Sequence, residues 1–342
     1  METFNQLREQ IENKTVLFIT TKNIDYIRNS QEVAFLEENA GRVIKIFSSQ
    51  KKYIYRLPEI YYKLCKLNMK NIDVVFIGFS PQLILPFYRK WKDKVTIIDF
   101  FISVYDTLVN DRQKFSPKGI AARLCYWLDK KTLKSADLII VDTKEDGKYF
   151  SKEFIGTDKE NIDERMLVWY LKADEKIYYP RPMNKAAELK DKFVILYFGS
   201  ILPLQGIDII LGAAELLKQD EKVHIQIIGP IPKKQDKPVQ DNVEYIDWLP
   251  QAELAKYIAN ADLCLAGHFN SKIAKASRTI AGKTYIYRAM DKPVILGDNA
   301  ANRELFEDAE NVFFCEMGNV QELRDKILEA KRIILDEATR FD

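Results

Sequence analysis

Short apolar runs rich in Val, Ile and Phe recur along this chain and alternate with longer segments of helical period. Runs of this kind suit strands covered on both faces, and their alternation with helices predicts an α/β fold built on parallel sheets. In the first half they are TVLFIT (15–20), RVIKIF (42–47), DVVFIG (73–78), VTIID (95–99), DLIIVD (137–142) and MLVWY (166–170). Helices are predicted between them near 30–39, 53–67, 82–90, 118–134 and 144–153. A second series runs through FVILYFG (193–199), HIQIIG (224–229), VEYI (243–246), DLCLAG (262–267), PVILG (293–297) and VFFC (312–315). The stretch from Lys172 to Lys190 breaks the alternation and carries two prolines, which places the domain junction there. Two doubly wound domains in tandem, 1–180 and 181–342, are therefore expected.

Composition narrows the chemistry. Lys and Arg number 52 against 50 Asp and Glu, a net charge of +2 that argues against nucleic acid as a general partner. Four cysteines stand far apart without a C-x-x-C pair, so neither a disulfide framework nor a structural zinc site is expected, and a reducing cytoplasm fits best. The polar start METFNQLREQIENK has no apolar signal core, and no later run approaches the roughly 20 apolar residues that span a bilayer. The glycine fingerprint of dinucleotide folds, the Walker loop, H-E-x-x-H and G-x-S-x-G are all missing, and there are only two histidines, His224 and His268. Dehydrogenase, nucleoside triphosphatase, metal and Ser-His chemistry are thereby poorly supported. Ligands of doubly wound sheets bind outside the carboxyl ends of the strands, so the residues just after each run are the candidates.

From Phe193 onward the text is more specific: FVILYFGSILPLQGIDIILGAAELL, HIQIIGP, VEYIDWLPQAELAKYIANADLCLAG and GKTYIYRAMDKPVILGDNAANRELF. In order and spacing it resembles the C-terminal domain of GT-B glycosyltransferases, particularly the large retaining family 4. Y-x-A-M-x-K-P-V-I and the following A-N-R-E-L are its most specific pieces. The resemblance implies two Rossmann-like domains facing a cleft, with 1–180 binding the acceptor and 181–342 the nucleotide-sugar donor. In that family the loop after the first strand of the donor domain carries an arginine and a lysine that grip the diphosphate. Here it reads Gly199-Ser200-Ile201-Leu202-Pro203-Leu204-Gln205-Gly206, with Ser200 and Gln205 at the cationic positions. The family's paired glutamates fall on Arg278 and Ile286, while Glu304 keeps the glutamate that follows the last donor loop.

A diphosphate needs positive charge, and Lys275, Arg278 and Lys283 lie just before and inside the start of a predicted helix. Cations there work against the helix dipole by roughly 0.3–1 kcal/mol each, which makes sense if an anion is bound among them. The alternative is a solvated basic loop. Gly199 and Gly206 suit either a close approach to phosphate or a tight turn. Tyr285 is placed to approach a base or ribose, or to be core, and His268 touches the donor or merely ends a strand. By analogy with the family, Asn299, Asn302 and Glu304 hold the sugar or phosphates. On the acceptor side Asp99, Ser103, Tyr105, Asp106, Asp111 and Arg112 cluster after one strand, and Asp99 and Asp106 are the candidate catalytic acids, or else helix caps.

These readings predict a glycosyltransferase of the hexosyltransferase kind. It would move a sugar from a nucleotide-activated donor to a glycan or lipid-linked acceptor in cell-surface or secreted polysaccharide synthesis. The family precedent implies retention at the anomeric carbon, with no metal and no cofactor beyond the donor substrate. The alternative is a non-catalytic GT-B protein that binds a sugar nucleotide or a partner transferase. Residues 50–70 and 88–94 interleave lysines and arginines with aromatics, which suits an anionic membrane surface and a cytoplasmic protein peripheral to the inner face of the membrane. Ordinary helices with tyrosines packed on the sheet would read the same way.

Overall fold

Val, Ile and Phe side chains are buried on both faces of the central runs and half-buried in the edge runs 42–47 and 243–246, and the runs become the strands of two parallel sheets. In the computed structural model, which describes residues 2–88, 90–157, 162–231, 237–309 and 311–341, the chain divides into two units, Met1–Leu171 and Lys172–Asp342. The first contains α1 (Glu2–Ile11), β1 (Thr15–Ile19), α2 (Ile27–Asn39), β2 (Arg42–Ile46), α3 (Tyr53–Lys66), β3 (Val74–Ile77), β4 (Val95–Asp99), α4 (Ile120–Lys134), β5 (Leu138–Val141), α5 (Lys144–Phe150) and β6 (Met166–Val168). Its strand order is β2-β1-β3-β4-β5-β6, parallel throughout. Leu17, Ile19, Val75 and Ile77 pack against Ile60 and Leu64 of α3 and Leu133 of α4. The alternate residues Val16, Phe18, Val74 and Phe76 pack against Leu7 and Ile11 of α1 and Leu36 of α2. Each such side chain contributes roughly 1.5–3 kcal/mol by leaving water.

The second unit contains β7 (Phe193–Phe198), α6 (Ile207–Leu216), β8 (Val223–Ile228), β9 (Val243–Ile246), α7 (Gln251–Asn260), β10 (Leu263–Gly267), α8 (Gly282–Ala289), β11 (Val294–Gly297), α9 (Ala300–Arg303), β12 (Val312–Cys315) and α10 (Val320–Phe341). The order β12-β11-β10-β7-β8-β9 is the 3-2-1-4-5-6 arrangement of dinucleotide-binding sheets, and its switch point lies between β7 and β10. The segment expected to be a junction belongs to this unit. Tyr178 is buried in its core with Ile177 and Leu189 alongside, Lys185 is ion-paired with Asp262, and the Asn184 amide donates to Asn260 Oδ1 at 2.7 Å.

Two sequence expectations change. No α-helix forms among the described residues of 82–90: Pro81 opens a single 3-10 turn (Pro81–Leu83), and Pro86 has no N–H to continue a helix. The 88–94 segment does not present its aromatics outward either. Tyr88 and Trp91 are buried in the core, and the Tyr88 hydroxyl donates to Leu64 O at 2.8 Å; Arg89 lies outside the described residues. Along 50–70, Arg56 is turned inward onto the carbonyls of Gln50 and Thr21, while Ile54, Tyr55 and Tyr62 stay exposed. No helix among the described residues is long and apolar enough to cross a membrane.

Candidate active site

At the switch point of the second sheet the chain leaves β7 through Gly199, a 3-10 turn over Pro203–Gln205, and Gly206, which immediately precedes α6. Gly206 has φ +69°, and a Cβ there would lie 2.8 Å from the backbone of Phe269 and Asn270, so only glycine fits. The β10 end is thereby drawn against this turn, and Phe269 N donates to Gln205 O at 3.3 Å. Lys283, the second residue of α8, reaches into the same place. Its ammonium donates to Gln205 Oε1 and, at 3.3 Å, to Ala266 O, and sits 4.5 Å from the Tyr197 ring centroid. These partners are all neutral, and the side chain is buried. Burial pushes the ammonium down to about 7.

His268 is buried beside it with Nδ1 unbonded; burial, with Lys283 and Lys275 near, lowers the imidazole to about 3. It is a neutral polar group at physiological pH. Tyr197 Oη, Thr284 Oγ1 and Asn302 Oδ1 are also buried without a hydrogen-bond partner. Asn302 otherwise serves the fold: Nδ2 donates to Gly297 O at 2.8 Å, joining the ends of β11 and α9. Asn299 caps α9, accepting from Asn302 N at 2.8 Å, and ties that loop to Ala276 O. Lys275, Arg278 and Glu304 are half-buried and each engaged, Tyr285 is buried, and Ser200 is exposed. The structure thus gathers Gly199, Gln205, Gly206, His268 and Lys283 at one strand edge. Tyr197, missed in the sequence, supplies the ring under the ammonium; its place as the penultimate residue of an apolar run gave no signal.

The carboxyl edge of the first sheet holds a different arrangement. Arg28, in the first turn of α2, makes a two-pronged ion pair with Asp99 at 2.7 and 2.8 Å. It also bonds Asp142 at 3.1 Å and Trp169 O at 2.9 Å. Burial opposes its charge, but Asp99 and Asp142 hold it ionised. Beside Asp99, burial and that carboxylate raise the Glu32 carboxyl well above the ordinary range. Both oxygens of Asp99, one of the two acids read as catalytic candidates, are bonded to Arg28. Asp106 opens a π-turn over Asp106–Asp111, where it is buried and accepts from Asn110 at 3.1 Å.

Asp129 of α4, also missed, organises the loop that leads there. It accepts from Gln82, Ser103 and the amides of Val104 and Tyr105, and burial pushes it up to about 6. On the same edge Tyr26, Phe79 and Phe101 form a half-exposed aromatic cluster, with Lys22 over the first two rings at 5.7 and 5.2 Å. Thr143 caps α5, and Thr21 bonds Phe79 O, so both serve local structure.

Residues 192–331 match the family described as Glycosyl transferases group 1. The matched stretch lies within the second unit. A probable glycosyltransferase of Pseudomonas aeruginosa, WbjE, is 28% identical over 241 residues, 65% of this chain. The chain spans 56% of that protein's length. Among solved structures, sucrose-phosphate synthase from Thermosynechococcus elongatus has a TM-score of 0.63 at 12% identity, covering 95% of this chain and 91% of its own. Anabaena HepE in complex with UDP-glucose has a TM-score of 0.60 at 16% identity, covering 94% and 91%. The fold of the chain is accordingly GT-B, two Rossmann-like domains. Within the matched stretch, the lysine expected by resemblance at Gln205 is absent from the loop, and an ammonium from α8 stands against the Gln205 side chain in its place.

Proposed function

We propose that this chain is a glycosyltransferase that draws its sugar from a nucleoside-diphosphate donor bound at the Gly199–Gly206 turn. The observation that carries the reading is Lys283: a buried ammonium, at the switch point of a dinucleotide-type sheet, with only neutral partners. A donor diphosphate would supply the missing negative charge, and hydrogen bonds to such a charged group are worth roughly 1.5–3 kcal/mol each. The first amides of α6 and the positive end of its dipole begin at the same turn and add to the pull on phosphate. In transfer, the same ammonium would stabilise the charge that grows on the departing diphosphate. Because that cation belongs to the chain, we expect turnover to survive EDTA, with retention at the anomeric carbon as the family resemblance implies.

UDP-glucose is bound by the structural relative HepE, which makes uridine the first base to try. On the acceptor side, the Tyr26, Phe79 and Phe101 rings offer faces for a sugar, and Asp106 is the candidate for orienting its hydroxyl. Asp99 is a positioning residue through Arg28. A glycan or lipid-linked acceptor in surface polysaccharide synthesis, handled in the cytoplasm, fits this reading. Arg278 and Ile286 at the positions of the family's paired glutamates favour a second reading, a protein that binds the donor without transferring it.

A thermal-shift panel of nucleoside diphosphates, nucleotide sugars and free nucleosides tests the donor site. A ligand at 100 times its Kd should add about 2.7 kcal/mol of stability. Diphosphates that stabilise no more than their nucleosides would defeat the proposal. Release of UDP from UDP-glucose in the presence of candidate acceptors then separates transferase from binding protein.

A further inference from the structure

The N-terminal unit carries an apolar stripe that its own fold leaves uncovered. On α4, Ile120, Leu124 and Trp127 are 86%, 55% and 46% exposed, at spacings of four and three residues that set them on one helix face. The other face of the helix, with Ala122, Cys125 and Leu133, is buried in the unit. Phe87, 58% exposed, extends the stripe beyond the helix: its ring centroid is 6.3 Å from that of Trp127. Single exposed hydrophobics are ordinary, but a stripe continued by a neighbouring segment marks an interaction surface.

Charge indicates what covers it. From Arg112 to Lys134 the chain has seven Lys or Arg residues and one acid, Asp129. That acid is fully buried, bonded to Gln82, Ser103 and two backbone amides, so it does not offset the surface charge. A second copy of the chain packed two-fold on this face would bring the cations against themselves. Nucleic acid would meet the cations but leave Ile120 and Leu124 in water. An anionic bilayer satisfies both sets: headgroups meet the lysines and arginines while the apolar side chains enter the acyl boundary, with a tryptophan at the level it favours.

We propose that α4 and Phe87 are the docking face for an anionic phospholipid bilayer. The inference stands on the N-terminal unit alone and is independent of the donor site. It moves the membrane contact expected from 88–94, whose Tyr88 and Trp91 are core, onto the next helix.

Flotation of the full chain with phosphatidylcholine vesicles, with and without phosphatidylglycerol, is the test. Binding to the anionic set only, released by high salt, is expected. Leu124→Ser combined with Trp127→Ser should weaken it at least tenfold, and Lys130→Gln or Lys131→Gln about fivefold each. Unchanged thermal unfolding is expected for the double variant, because the replaced side chains are exposed. Tryptophan emission of the unaltered protein should shift to the blue on binding, and that shift should be lost in Trp127→Phe. Undiminished binding by the double variant, or no binding to anionic vesicles at low salt, overturns the proposal. So does a dimer of the free protein that the double variant abolishes, since that would assign the stripe to a second copy.

Discussion

The carboxyl edges of the two sheets solve the same problem in opposite ways. Each buries a cation at the carboxyl ends of its strands. In the first, Arg28 is met by Asp99 and Asp142, and the charge is closed within the protein. In the second, Lys283 is met by an amide oxygen, a carbonyl and an aromatic ring, and the charge is left open. The closed cluster fixes structure, since an internally neutralised group gains nothing from an outside anion. The open one gives up part of its protonation to burial, a cost that a bound anion would remove.

The largest expected effect breaks the closed side. Arg28→Ala strands the buried Asp99 carboxylate and should cost about 3–5 kcal/mol in urea unfolding, and Arg28→Lys should rescue little, because one ammonium cannot replace a two-pronged fork. Next comes the open side. Lys283→Met should leave stability equal or improved while weakening nucleoside diphosphate binding more than tenfold, with no comparable loss for the free nucleoside. A matching stability loss in Lys283→Met would mean that the ammonium is structural like Arg28, and the contrast would fail.

Dependence on pH sharpens the comparison. The unfolded chain releases the Lys283 proton near the ordinary lysine value of 10.5, the folded one near 7. Between these the unfolded state binds more protons, so stability without ligand should rise with pH across that window, by at most about 1.4 kcal/mol per unit. The difference between the wild-type and Lys283→Met curves isolates this contribution, and parallel curves would deny it. The smallest effect belongs to Ser200→Ala. Although it stands at a position that grips phosphate in the resembling family, its side chain is exposed, so stability should stay within about 0.5 kcal/mol and diphosphate affinity within about twofold.

Much of this fold is legible in the sequence, because buried parallel strands need no partner to announce themselves: β4, β9 and β12 span the residues read for them, and the other strands differ by a residue or two. The helix read at 82–90 fails on Pro86, a local signal that apolar periodicity outweighed. The helix α1 was missed although Phe4, Leu7 and Ile11 carry its spacing. At the site, Gly199, Gln205, Gly206 and His268 were readable as residues flanking strand ends, and Lys283 as a cation at a helix start. Arg28 was not, because its partners are 71 and 114 residues away and nothing local in NIDYIRNSQE marks it as a buried cation. The same distance made Asp99 look like an available acid.

The central claim is that Lys283 awaits its counter-charge from a ligand. Calorimetry of UDP binding at about pH 8, repeated in buffers of different ionisation enthalpy, counts the protons taken up. At that pH the diphosphate is already ionised while the buried amine is largely neutral, so uptake approaching one proton is expected, and none in Lys283→Met. UDP that binds without proton uptake, or with the same uptake in the variant, would contradict the account.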